Sequence, residues 1–218
     1  MAIKPILFNT EMVRAILDGR KSCTRRIVKP QWEECQNCKY VHNEYIYDNL
    51  AENVYCASCG YPLVPERRAP YQPGDTIYVR ETWCDDRQFT REDTPGRYFY
   101  KASEEDGFTV KWHPSIHMPK EAARIWLKVT DVRVERLQEI TPKDAENEGV
   151  GNLFYEDIGY SEKNYGTEVD KEYGIAREQF AWLWESTIKK SDLDRYGWDA
   201  NPWVWVIEFE RCEKPDGV

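Results

Sequence analysis

Gly19-Arg20-Lys21-Ser22-Cys23-Thr24-Arg25-Arg26 places four cations in eight residues just where a short amphipathic helix should end. Before it, Ile3 to Phe8 reads as a strand, and Met12, Val13, Ile16 and Leu17 recur with helical spacing on one face. Asn9 or Thr10 suits the cap of that helix and Gly19 its end. Lys21 and Thr24 therefore fall in the segment leaving the helix, where side chains are free to converge on a site. The 218-residue chain has a net charge of −9, yet Arg14 to Lys29 is +5 and the remainder −14. Such a balance excludes nucleic-acid binding by the whole surface. A basic spot on an acidic body suits one localised anionic or polar ligand, or a solvated charged face.

After Pro73-Gly74-Asp75, a turn signal, Thr76 to Trp83 reads as a strand with Ile77 and Val79 on one face. By the same alternation Glu81 points inward at the end of that strand. Arg97 to Ala102 reads as a further strand, and Trp112 to Pro119 as a proline-bounded loop holding His113 and His117. Ile125, Leu127 and Val129 alternate in one phase and Val132 and Val134 in the other, which predicts a bulge near Thr130. Thr141-Pro142-Lys143-Asp144 is a helix start, ending at Gly149. Residues 144–178, with ten acids and three bases, read as an acidic variable loop. Phe180, Leu183, Trp184 and Ile188 then describe an amphipathic helix, and Trp203 to Arg211 a last strand with Trp203, Trp205, Ile207 and Phe209 on one face. The 9 Trp and 14 Tyr supply much of the material to be buried. The expectation is one α+β domain over residues 1–218.

Residues 32–68 break this pattern and read as an insert. Cys35-x-x-Cys38 and Cys56-x-x-Cys59 have the spacing of a four-thiolate zinc site, with 17 residues between the pairs. Two thiolates two residues apart grip one edge of a tetrahedron, Gly60 lets the chain turn after the second pair, and the Tyr-rich stretch between can form a hairpin. An all-cysteine shell leaves no position for water, so the zinc is expected to be structural. Cys23, Cys84 and Cys212 lack ligand spacing. Seven cysteines, no apolar leader and no stretch near bilayer length predict a cytoplasmic protein without a membrane partner.

The opening stretch resembles the Gly-x-Lys-x-x-Thr-x-Arg signature of the ASCH domain, matched at Gly19, Lys21, Thr24 and Arg26. The resemblance extends through Pro73-Gly74-Asp75, the strand to Glu81 and the closing Trp-rich strand. Trp112 to Pro119, with Asn201-Pro202-Trp203-Val204-Trp205, is similar to the branch of that family carried by phages and prophages. The resemblance implies a PUA-like fold: a small mixed β-barrel with flanking helices and a cleft for a nucleotide or RNA, here with the inserted four-cysteine zinc knuckle. It also implies a chemistry, because some small ASCH proteins remove the acetyl group of N4-acetylcytidine with a Lys, a Thr and a Glu. Lys21, Thr24 and Glu81 match those residue types.

Amide hydrolysis needs a nucleophile, a base and a donor for the oxyanion. Thr24 can supply the hydroxyl. Lys21 serves as base if desolvated, or as proton donor or electrostatic clamp if not. Glu81 can orient Lys21 or activate water. Arg26 suits a phosphate or base-edge contact, Trp83 a stacked base, and His117 the rim of the cleft. The same residues also suit structural roles, Lys21 and Glu81 as a buried ion pair and Trp83 as core. Two other functions fit the resemblance: a non-catalytic phage module that binds RNA or a modified nucleotide, and an assembly or host-interaction protein docking a protein partner through the zinc insert.

Overall fold

The β9 strand, Trp203–Cys212, organises the molecule because its side chains alternate between two cores. A computed structural model describes residues 2–29, 37, 45–48, 53–56, 58–61, 69–88, 97–104, 110–150, 168–215 and 217. In chain order its elements begin with β1 (Ile3–Leu7), α1 (Thr10–Leu17), β2 (Cys23–Ile27), β3 (Tyr45–Asp48) and β4 (Asn53–Cys56). There follow β5 (Thr76–Arg80), β6 (Trp83–Asp85), β7 (Tyr98–Tyr100), β8 (Trp126–Arg136), α2 (Pro142–Asn147), α3 (Glu168–Thr187), α4 (Leu193–Tyr196) and then β9. The architecture is α+β. Its main sheet has the order β1-β5-β8-β9-β2, with β1 parallel to β5 and every other pairing antiparallel.

Trp203, Trp205, Ile207 and Phe209 of β9 join Ile6, Ile77, Val79, Leu127 and Val129 of the sheet against Val13 and Ile16 of α1. Val204 and Val206 point the other way, to Leu137, Ile140, Ala145 and Phe180 and Trp184 of α3. A strand buried on both faces reads as a continuous apolar run, as Trp-Val-Trp-Val-Ile does. A third cluster, Trp83, Met118, Ala122, Ala123 and Trp126, fills the far side of β5 and β8.

Several expectations hold in detail. Asn9 caps α1 by accepting the Met12 amide at 2.8 Å, and Gly19 takes a φ of 75° where the chain leaves the helix. The β8 ladder shifts register between Val129 and Asp131, so the bulge lies at Thr130. Thr141 and Asp144 close a capping box on α2 with Pro142 in its first turn. The stretch between the two cysteine pairs contains the expected hairpin, β3 pairing antiparallel with β4.

Others are corrected. Cys23–Ile27 is not a loose exit from the helix but an edge strand paired with β9, which two arginines in five residues conceal from any apolar alternation. The strand expected over 76–83 ends at Arg80 and resumes at Trp83, leaving Glu81 at the break. The 97–102 strand contracts to β7 and a single helical turn. The acidic segment 144–178 is helical at both ends, in α2 and in α3; residues 151–167 lie outside the described residues. The sheet is open rather than closed: β1 and β2 are its edges. Among the described residues, no helix is long and apolar enough to cross a membrane.

Asp75 ties the N-terminal strand down, accepting the Ala2 amide at 3.0 Å, the Gln72 amide at 3.1 Å and the Lys4 ammonium at 2.7 Å. Burial alone raises the carboxyl pKa, but these donors together hold it below the ordinary carboxylate range. A depressed folded pKa contributes stability above the unfolded value, near 3.9, and loses it as pH falls through the folded value. Urea melts of wild type and Asp75→Asn should therefore differ at pH 7 and converge as pH falls through that depressed folded value. A difference that is independent of pH would show that the carboxylate charge is not what anchors β1.

Candidate functional site

The chain turns at Gly19 so that the amides of Arg20 and Lys21 both reach the Ala15 carbonyl, at 2.8 and 3.0 Å. This folds Lys21 back under α1, where its side chain is 0% exposed. Its ammonium donates to the Glu148 carboxylate at 2.7 Å and to the Glu148 carbonyl at 2.8 Å. The close approach depends on Gly149. It adopts a φ of +92°, and a Cβ there would stand 2.7 Å from Ala15 Cβ and 3.2 Å from Lys21 Cβ.

The other Glu148 oxygen accepts from Arg25 at 3.3 Å, and Arg25 also reaches Glu135 at 3.1 Å and Asp144 at 3.7 Å. Two fully buried cations thus share one carboxylate that is 3% exposed. Beside them, burial and the Glu148 charge push the Cys23 thiol up to about 12, which keeps it protonated and inert.

Thr24 and Arg26 lie on the opposite face of β2, in register with Ile207 and Trp205. Thr24 is 2% exposed, and among the described residues nothing hydrogen-bonds its hydroxyl. Arg26 donates to the Leu7 carbonyl at 2.9 Å, a side-chain bridge across the two edges of the open sheet. Phe8 lies between cations, its ring centroid 5.5 Å from Lys21 Nζ and 5.3 Å from the Arg26 guanidinium. Burial lowers the Arg26 pKa, countered by Tyr71 and Glu148; burial likewise raises that of Tyr71, whose hydroxyl donates to the Pro5 carbonyl at 2.7 Å. Lys21, Arg26, Phe8 and Tyr71 therefore gather around the seam between β1 and β2, with Glu148 behind Lys21 on the Arg25 side and Thr24 on the Arg26 face of the strand.

Glu81 is inward, as the alternation predicts, and 1% exposed. Its partner is not Lys21. Arg124 grips both carboxylate oxygens, at 2.8 and 2.9 Å, while its guanidinium stacks 4.1 Å from the Tyr100 centroid. The amide of Phe8 donates to the Arg80 carbonyl, one residue from Glu81, and the Phe8 ring lies against Lys21, the partner of Glu148, so the two carboxylates flank Phe8 in space but serve separate cations. Trp83 is 5% exposed within the third core cluster, 5.1 Å from the His113 ring, which makes it packing rather than an open face for a base. His117 is exposed on a single helical turn.

Of the zinc-ligand candidates, Cys56 is buried and Cys59 exposed, and Cys35 and Cys38 lie outside the described residues. The Cys56 amide donates to the Tyr61 carbonyl at 2.8 Å and the Gly60 amide to the Cys56 carbonyl at 2.7 Å, with Gly60 at φ +67°. That tight reversal leaves the second pair on one knuckle. Asn37, which lies between the first pair in the sequence, donates to Cys59 Sγ at 3.5 Å. Among the described residues, no group of three or more possible metal ligands comes together.

Sequence reasoning missed Glu148, Arg124, Phe8 and Tyr71. One signal for Glu148 was present: an acid in the last turn of a helix opposes the helix dipole, and just before a glycine it invites the question of what cation it meets. Glu148→Ala should lower the unfolding free energy by about 3–5 kcal/mol, because it leaves Lys21 and Arg25 buried beside one less carboxylate. Glu81→Ala should cost less, since Arg124 is 27% exposed and can rehydrate. Equal losses in urea melts would show that Glu148 holds no special position.

No protein-family model matches the chain, and no curated protein or solved structure proved similar to it.

Proposed function

We propose that the chain is a PUA-like, ASCH-type amidohydrolase acting on N4-acylated cytidine-type nucleosides or modified RNA bases, with Lys21, Thr24 and Glu148 at the seam between β1 and β2. The observation that carries this reading is the Lys21–Glu148 pair: an ammonium with no exposure, 2.7 Å from a carboxylate, three residues before a threonine that is 2% exposed. Glu148 replaces Glu81 as the carboxylate of the triad, because Glu81 is committed to Arg124.

The chemistry follows from this arrangement. The Thr24 hydroxyl adds to the acyl carbonyl carbon and its proton leaves to solvent. Lys21 steadies the oxyanion and gives a proton to the exocyclic nitrogen as the C–N bond breaks. Solvent restores that proton to Lys21, which Glu148 holds in place. Water then cleaves the Thr24 ester, releasing the carboxylic acid. Purified protein incubated with N4-acetylcytidine should yield cytidine and acetate, and Thr24→Val should lower kcat by about a hundredfold or more. Absence of cytidine from folded wild type, with any N4-acyl nucleoside, overturns the reading. A second reading, a module that binds RNA or a modified nucleotide without cleaving it, draws on the same pair: a lysine already neutralised by its carboxylate serves as well to orient a ligand as to move a proton.

Cys35, Cys38, Cys56 and Cys59 hold one structural zinc ion, which fastens an insert too small to build a core of its own. Elemental analysis should find about one zinc per chain, falling toward zero in Cys56→Ser, with the insert cleaved faster by protease once a chelator removes the metal. Metal content unchanged by that substitution sinks the assignment.

A further inference from the structure

The third core cluster covers only part of its side of the sheet. Trp83, Met118, Ala122, Ala123 and Trp126 lie over β5 and β8, with Tyr78 of β5 packed against them. β1 extends the same face beyond that cover. Ile3, Pro5 and Leu7 stand in register with Thr76, Tyr78 and Arg80, so their side chains point away from Ile6 and Phe8, which join the main core. All three are exposed, Ile3 at 38% and Leu7 at 40%. Arg80 marks the boundary of the cover by donating to the Met118 carbonyl at 2.8 Å, and Ile116, 59% exposed, stands two residues before Met118. An apolar stripe on an edge strand is a liability that proteins otherwise cover or charge.

The backbone of β1 excludes a strand as the occupant. Phe8 bonds Arg80 and Ala2 bonds Thr76, so the even-numbered residues serve the β5 ladder and the peptide groups of Ile3, Pro5 and Leu7 face outward. Pro5 has no N–H, its carbonyl accepts the Tyr71 hydroxyl at 2.7 Å, and the Leu7 carbonyl accepts Arg26 at 2.9 Å. A visitor must therefore pack through side chains on the face, as an amphipathic helix does. Ile3 to Leu7 spans about 13 Å, close to two helical turns of about 5.4 Å each with their side chains. Charge narrows the choice further. Arg80 and Lys120 have no carboxylate partner among the described residues, and the Lys120 ammonium stands 6.0 Å over the ring of Tyr78, the neighbour of Pro5. Lys4, on the other face of β1, is already paired with Asp75. In a chain with 39 acids against 30 bases, this apolar stripe is bordered by unmatched cations.

We propose that the outward face of β1 is a docking surface for an acidic amphipathic helix of a protein partner, whose apolar anchors cover Ile3, Pro5, Leu7 and Ile116 and whose carboxylates meet Arg80 and Lys120. The surface goes beyond the hydrolase reading and stands or falls independently of it.

Fluorescence anisotropy of the full chain with two labelled, stapled helical peptides tests this. Both carry leucine along one face, and the flanks are glutamate in one and lysine in the other. The acidic peptide should bind at least about tenfold more tightly than the basic one. Leu7→Ser removes an exposed side chain without opening the core, and should weaken the acidic peptide by about tenfold, the worth of one buried leucine. Lys120→Glu should bring the two peptides to within about twofold of each other, or reverse their order. Equal binding of the two peptides by wild type, or of neither, overturns the proposal, as does binding of the acidic peptide that Leu7→Ser leaves untouched. Two other occupants would overturn it as well. A dimer in sedimentation that Leu7→Ser dissolves makes the face an interface between copies of the chain. Binding to phosphatidylserine vesicles that Leu7→Ser abolishes, with the acidic peptide unbound, makes it a membrane contact.

Discussion

Glu148 holds together the corner where α1, β2 and the end of α2 meet. Its carboxylate and carbonyl both bind Lys21, and its second oxygen meets Arg25, so three charged groups are carried into an interior that otherwise excludes them. Each of these charges is tolerable only because the others are present. The requirement ties α1, β2 and the end of α2 together. Gly149 is part of the same constraint: its backbone angle and its missing Cβ let the acidic turn lie against Ala15 and Lys21.

This arrangement divides the β2 strand by face. Arg25 is spent on the interior network, pressed between three carboxylates and the Phe180 ring. Thr24 and Arg26, one residue to either side, face the seam. The alternation of a strand is what separates a structural cation from an available one only one residue away. Residues that look like one basic run along the chain are therefore two populations with different chemistry.

The seam itself arises because the sheet does not close. Its edges, β1 and β2, are joined by the Arg26 side chain to the Leu7 carbonyl instead of by a backbone ladder. A side-chain bridge can exchange its acceptor for a ligand, whereas a ladder cannot do so without unzipping a strand. The far corner, with Glu81 gripped by Arg124 and Trp83 sunk among Met118 and Trp126, lacks this freedom and is built as packing.

Local signals in the sequence determined the elements whose cause is local: the Asn9 and Thr141 caps, the turns at Gly19 and Gly60, the bulge at Thr130, the two-faced run of β9 and the inward direction of Glu81. Each of these depends on residues within one turn or one strand of one another. Lys21 and Thr24 were legible as candidates because they stand in a short, spaced pattern. Tertiary structure alone decided who partners whom. Lys21 and Glu148 are 127 residues apart, Glu81 and Arg124 43, and no periodicity reports a contact across such a distance. Nor could β2 be recognised before β9 was in place beside it, since a strand with two arginines becomes a strand only when its neighbour supplies the ladder and its carboxylates absorb the charge.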